Sequence, residues 1–215
     1  MNHKFTRVCE NICVPKVVDH AARRAELGAA VRRVVARSGV EGASVRAVAA
    51  ESGWSTGAMR YYFATQDELL DFAFDASLAD IPLRLQRILD EQEPGFDRAQ
   101  ALLEEMLPLD DDRLAEVRVY LAFMARSRTV DGRPGLAEQT WHGERHICGL
   151  AIADVTGLDH PVEVGVVPAA LAALVDDLHV FVDGLTFLGA TVPDQMPPTK
   201  ARALLRSRLE AVVRL

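Results

Sequence analysis

Between Ser44 and Leu70 the chain reads SVRAVAAESGWSTGAMRYYFATQDELL. The residues at its centre with chemical potential are hydroxyls, a guanidinium and two phenols: Ser55, Thr56, Arg60, Tyr61 and Tyr62, with Gly57 among them. On a short helix, Ser55, Thr56, Gly57, Arg60 and Tyr61 fall on the outer face. Small, polar and aromatic side chains of this kind fit a DNA major groove. Gly57 and Ala58 let a backbone approach a duplex closely. Arg60 suits either a bidentate pair with a guanine edge, worth about 1–3 kcal/mol of discrimination, or a phosphate contact; spacing alone does not separate these roles. Ser44 and Arg46, opening the preceding helix, and Thr65, opening the following one, complete the candidate contacts. The helix N-terminus at Thr65 offers free amides to a phosphate.

Positioning these residues requires two helices meeting at a tight turn. Gly53 tolerates the positive φ that such a turn often needs. Ala49, four residues earlier, is small enough for helices to touch. Val45, Val48, Trp54, Met59 and Tyr62 are the expected packing residues behind the outer face. Ser44 is a good N-cap, and Thr65-Gln66-Asp67-Glu68 has the form of a capping box opening a longer helix. Upstream, Leu27, Val31, Val34 and Val35 share one helical face, with Arg24, Arg32, Arg33 and Arg37 off it. Gly39 is the expected stop for that helix.

Charge is divided along the chain. The net charge of −7 combines a basic stretch over residues 1–64 (net +5) with an acidic remainder (net −12). A basic head on an acidic body can hold nucleic acid at one end only.

Residues 18–75 resemble the DNA-binding domain of the TetR family of repressors, through Ser44, Val48-Ala49, Gly53-Trp54-Ser55, Tyr62-Phe63 and Glu68-Leu69-Leu70. The Ser55-Thr56-Gly57 and Tyr62-Phe63 wording is closest to the branch that includes the choline-betaine regulator BetI. The resemblance implies that Tyr61 and Tyr62 lie near the phosphate backbone and that Thr65 helps anchor it. It also implies a double-stranded DNA operator, a small-molecule effector bound in a helical C-terminal domain, and a homodimer formed through the last two helices. One departure matters. A phosphate-binding lysine usual after the fourth helix's cap is Gln66 here, followed by Asp67. One charged anchor is lost, so DNA affinity is expected to be lower or less salt-dependent. Trp54 replaces a common valine and reads as core.

The remaining chain is helical by pattern, giving an all-α expectation of about nine helices. Pro82 is expected to kink or break the helix that starts after Thr65, with Asp80 able to recap it. Asp110-Asp111-Asp112 suits the start of another helix. Gly132, Pro134 and Gly135 mark a turn, and Pro161 and Pro168 a junction. The expected organisation is a loose arm over 1–16, a helix-turn-helix head over 17–64, and a ligand-binding and dimerisation domain over 65–215. Neither an 18-residue apolar run nor a secretory signal appears, so a cytoplasmic location is expected. Three cysteines do not make a disulfide framework. Cys9 and Cys13 have a spacing open to pairing or metal binding but read as free thiols.

Candidate effector contacts are polar or aromatic residues on apolar faces: Tyr120, Phe123, Met124, Trp141, His142, His146, Phe181 and Phe187. Each also suits plain core. For the dimer, the stripes of the two C-terminal helices supply Leu171, Leu174, Leu178, Leu205, Leu209 and Val212, which also suit packing within one subunit. His142 and His146, with Cys148 beyond them, have zinc-compatible spacing, but no fourth strong ligand follows, so neither a metal nor another cofactor is expected. No nucleophile elbow, phosphate loop or dinucleotide fingerprint is present, which argues against an enzyme. The competing reading is a helical protein-interaction module without DNA binding.

Overall fold

The computed structural model describes residues 20–127, 135–158 and 166–214. The 1–16 arm with Cys9 and Cys13, the turn residues Gly132 and Pro134, and Pro161 lie outside the described residues. Among the described residues there are nine α-helices and no strand, the all-α class expected from the 3.6-residue periodicity. The helices are α1 (His20–Gly42), α2 (Val45–Ser52), α3 (Thr56–Tyr62), α4 (Gln66–Glu91), α5 (Phe96–Glu104), α6 (Asp111–Ser127), α7 (Leu136–Thr156), α8 (Ala172–Thr191) and α9 (Pro198–Val213).

Local chemistry sets the ends of the first four. Gly39 has φ 72° and ψ 177°, which breaks α1, but a further short turn follows it to Gly42. The glycine is therefore a kink rather than the stop expected of it. Ser44 Oγ accepts from the Ala47 amide at 3.2 Å and opens α2. Gly53, at φ 73°, closes α2 in the left-handed region that an L side chain rarely adopts. Ser55 Oγ accepts from the Ala58 amide at 3.1 Å, and Thr65 Oγ1 from the Glu68 amide at 3.1 Å. Glu68 reaches back to the Ala64 amide at 2.7 Å, one residue beyond the usual capping-box partner.

Pro82 does not break α4. The helix runs from Gln66 to Glu91 with the proline inside it, and Asp80 forms an ion pair with Arg32 at 3.6 Å instead of recapping. Packing on both sides of the proline outweighs its lost hydrogen bond. Upstream, Leu69, Phe72, Ala73 and Phe74 are buried in one core. Downstream, Leu85, Ile88 and Leu89 pack on another.

Those two cores organise the molecule. The first holds α1 to α3, the first half of α4, and Ala115, Val119 and Phe123 of α6. The expected face of α1 is in it, with Val31 and Val35 at 0% exposure. The second joins α5, α7, α8 and α9. The 20–64 head therefore does not close its own core; α4 and α6 complete it. Arg118 of α6 also donates to the Ala36 carbonyl of α1 at 3.3 Å.

A half-buried ionic network ties α4, α5 and α6 together. Arg84 pairs with Glu105 at 2.6 Å and Glu116 at 2.9 Å, and Arg113 pairs with Glu105 as well. The Glu105 and Glu116 side chains are only 7% and 11% exposed. Removing Arg84 strands the Glu116 carboxylate, which is nearly out of water, and leaves Glu105 with Arg113 alone. Arg84→Ala is expected to lower unfolding free energy by about 3 kcal/mol. Urea denaturation measures this, and a loss below about 1 kcal/mol would class the network with solvated surface pairs.

Candidate nucleic-acid interface and internal cavity

Helix α3 is short, and its orientation comes from what it buries. Met59 is fully buried, Val48 lies behind it in the same core, and Val45 and Trp54 pack against that core. Tyr62, expected to help hold the helix, is 51% exposed. Its ring meets the edge of Trp54 at 5.6 Å and of Tyr61 at 5.4 Å. The neighbouring Phe63 does the holding instead: it is buried and packs on Phe72, with centroids 5.2 Å apart. A register shift of one residue on the helix explains the exchange, since Met59 and Phe63 are i, i+4.

The opposite face of α3 is open. Ser55, Thr56, Gly57, Arg60 and Tyr61 are all exposed, Tyr61 at 86%. A Cβ on Gly57 would meet nothing nearer than Ser55 Oγ at 4.0 Å, so no internal packing demands a glycine there. Arg46 and Thr65 are exposed and Ser44 is half-buried. Ser44, Ser55 and Thr65 use their hydroxyl oxygens as cap acceptors, which leaves each hydroxyl hydrogen available for an outside acceptor.

The head's basic residues divide into two sets. Arg33 and Arg37 both bond Glu51, at 2.7 and 3.0 Å, and these hydrogen bonds hold its carboxyl below the usual range. Arg32 pairs with Asp80, and Arg23 lies over the Trp54 ring at 5.5 Å. Among the described residues, Arg46 and Arg60 have no such internal partner. Gln66, where a lysine anchor was missed, is half-buried and donates to the Val40 carbonyl at 3.0 Å. It ties α4 to the end of α1.

A cavity of about 520 Å³ opens where the two cores meet, between α4, α6, α7, α8 and the residues just after α5. Tyr120 and His146 line it. The other sequence-nominated residues do not. Phe123 is buried, stacked on Phe74 at 4.0 Å, and Met124 packs on the first core. Trp141 is 46% exposed, and His142 beside it lies 3.9 Å from Glu138. Phe181 packs on the second core beneath the Arg208 guanidinium, and Phe187 is 53% exposed. His142, His146 and Cys148 are not brought together as a ligand set among the described residues. Cys148 is fully buried, which pushes its thiol up.

Several wall residues escaped the sequence reading, among them Phe74, Pro82, Leu85, Arg113, Glu144 and Asp183. The α4 members carried a signal, because a helix apolar on more than one face must bury more than one. The acids carried none, since a charge on a helix usually faces solvent. Burial first, then the Glu144 charge, push the Tyr120 hydroxyl up.

The residues nominated for a dimer lie inside the subunit. Leu171, Leu178, Leu205, Leu209 and Val212 are buried in the second core, and Leu174 packs against it. A side chain already at 0% exposure, as Leu178, Leu205 and Leu209 are, has no surface left to bury against a second copy. The outward apolar residues of α8 and α9 are others: Val180, Phe187, Leu188, Leu204 and Val213.

Comparison with known proteins agrees with this architecture. Residues 96–214 match the family model described as BetI-type transcriptional repressor, C-terminal. The HTH-type transcriptional regulator PksA of Bacillus subtilis (strain 168) is 38% identical over 115 residues, which is 54% of this chain and 56% of PksA. The chain thus spans little more than half the length of that curated relative. A transcriptional regulator from Rhodococcus sp. Rha1 superposes with a TM-score of 0.67 at 27% identity, covering 89% of this chain and 96% of the other. A regulator from Saccharomonospora viridis, solved in complex with choline, has the same fold: TM-score 0.67, 18% identity, 88% of this chain and 96% of the other. No described helix is long and apolar enough to cross a membrane. A helical head whose α3 faces outward, joined to a body that matches the BetI-type repressor domain, places this chain in the TetR family of transcriptional regulators.

Proposed function

We propose that the protein is a ligand-responsive repressor, bound as a homodimer to a near-palindromic operator and released when a small molecule enters the cavity. The observation that carries this reading is the open face of α3. It presents Arg60 and Tyr61, both exposed, beside the capped N-termini of α3 and α4. Positive charge and free amides on one edge suit a phosphate backbone, and Arg60 is long enough to reach a base edge. Catalysis is no part of this reading.

A homodimer fits the outer stripe of α8. Val180, Gly184, Phe187 and Leu188 recur at helical spacing and are exposed, with Leu204 of α9 also outward. An apolar stripe of this kind favours burial against a second copy across a two-fold axis. The two α3 helices would then meet half-sites one helical turn apart.

Release follows from the position of the cavity. Its wall includes Phe74, Leu78, Val117 and Tyr120 of α4 and α6, and both helices help close the core of the head. An effector that spreads these helices moves α3 relative to its twin. Coupling of about 1–3 kcal/mol suffices to weaken operator binding substantially.

Binding to DNA flanking the protein's own gene, measured across a salt series, tests the reading and the role of Arg60. Arg60→Ala is expected to cost about 1–3 kcal/mol. Loss confined to the cognate site identifies a base contact. Uniform weakening on all DNA, with the salt slope reduced by about one, identifies a phosphate contact. Absence of DNA binding at low salt, and in a random-sequence selection, would favour the protein-interaction module.

Sedimentation tests the dimer. Phe187→Glu is expected to give monomers that remain folded. Leu178→Ala should instead destabilise the subunit by about 2–5 kcal/mol. A Phe187→Glu protein that stays dimeric would move the interface elsewhere.

A further inference from the structure

One side-chain cluster on the cavity wall has a geometry that neither DNA binding nor core packing explains. His179 and Asp183 stand one turn apart on α8, and Glu144 faces them from α7. His179 Nε2 lies 3.5 Å from Glu144 Oε2 and 3.6 Å from Asp183 Oδ2. The three donor atoms all lie within 4.8 Å of one another. An ordinary N–H···O hydrogen bond would draw each pair to about 2.9 Å. A tetrahedral first-row metal with bonds of about 2.0–2.1 Å holds its donors about 3.3–3.4 Å apart. The two histidine contacts match the second spacing more closely than the first.

We propose that Glu144, His179 and Asp183 form a binding site for a divalent transition-metal ion of the zinc class, with its remaining coordination position turned toward the cavity. The imidazole in the set favours zinc, cobalt or nickel over magnesium or calcium. His179 is 4% exposed, so its ring is fixed by packing, and Trp141 lies beside it with ring centroids 6.1 Å apart. Tyr120 lines the same cavity as Glu144. The neighbouring guanidiniums are committed elsewhere. Arg145 is committed to Asp176 at 2.7 Å, and Arg113 to Glu105 and Asp110.

Glu144 and Asp183 both line the cavity, so a bound metal would offer a Lewis-acid site to an oxygen or nitrogen donor on an entering molecule. That last step rests on the cavity being the effector site. Metal binding itself does not, and it is measured without DNA or effector.

The test is titration of the chelator-stripped full-length protein with Co²⁺, followed by the visible bands of low-symmetry cobalt, then displacement by Zn²⁺. One cobalt per chain is expected. Asp183→Asn and His179→Ala should each weaken binding by about tenfold or more. Asp183 has a half-exposed side chain, so its isosteric variant tests the site without disturbing the core, and far-UV circular dichroism checks that both variants fold. Failure to bind cobalt stoichiometrically would overturn the proposal. So would binding that survives both substitutions, since the ion would then sit elsewhere in the chain. Loss of operator binding with cobalt binding intact would count against the repressor reading and leave the metal site standing.

Discussion

Helix α4 belongs to two cores at once, and most of the molecule's behaviour depends on that sharing. Its first half buries Leu69, Phe72 and Phe74 with α1 to α3, and its second half lays Leu85, Ile88 and Leu89 on α5 and α7 to α9. Burial at both ends keeps it helical through Pro82, where propensity alone costs about 3 kcal/mol. The cavity opens along this helix because the proline lies where one core ends and the other begins. Helix α6 repeats the arrangement, with Val119 in the first core and Tyr120 on the cavity wall. Two helices are thus shared by the head's core and the cavity wall.

Many of the arginines and buried acids are paired with one another within the fold. Arg32, Arg33 and Arg37 are consumed in holding the head together. Arg84 and Arg113 neutralise Glu105 and Glu116. Among the described residues of the head, Arg46 and Arg60 are left without an internal partner, and on the cavity wall Glu144 and Asp183 stand around His179. Net basic charge over residues 1–64 therefore overstates how much of the head is free to meet a phosphate.

Legibility differed between the two ends of the chain for a physical reason. In the head the determinants are local. A cap at Ser44, a glycine at Gly53 and a capping box at Thr65 each act within four residues, so spacing alone reveals the turn and which face points outward. The Tyr62 and Phe63 exchange is the exception, because which aromatic enters the core depends on Phe72, nine residues on. In the body the determinants are contacts between distant helices. Phe123 and Tyr120 look alike in sequence, yet one stacks on Phe74 inside a core and the other borders a cavity.

The amino-acid sequence alone determined the helical class, the helix-turn-helix and its outward residues, because periodicity and capping are properties of neighbouring residues. Tertiary structure alone decided the rest. It placed Leu178, Leu205 and Leu209 in the subunit's own core and left Val180 and Phe187 outside. It carried α4 through Pro82, and it brought Glu144 to His179 across 35 residues of chain. Each of these outcomes turns on which face of one helix meets which face of another, and an amphipathic stripe does not encode the identity of its partner.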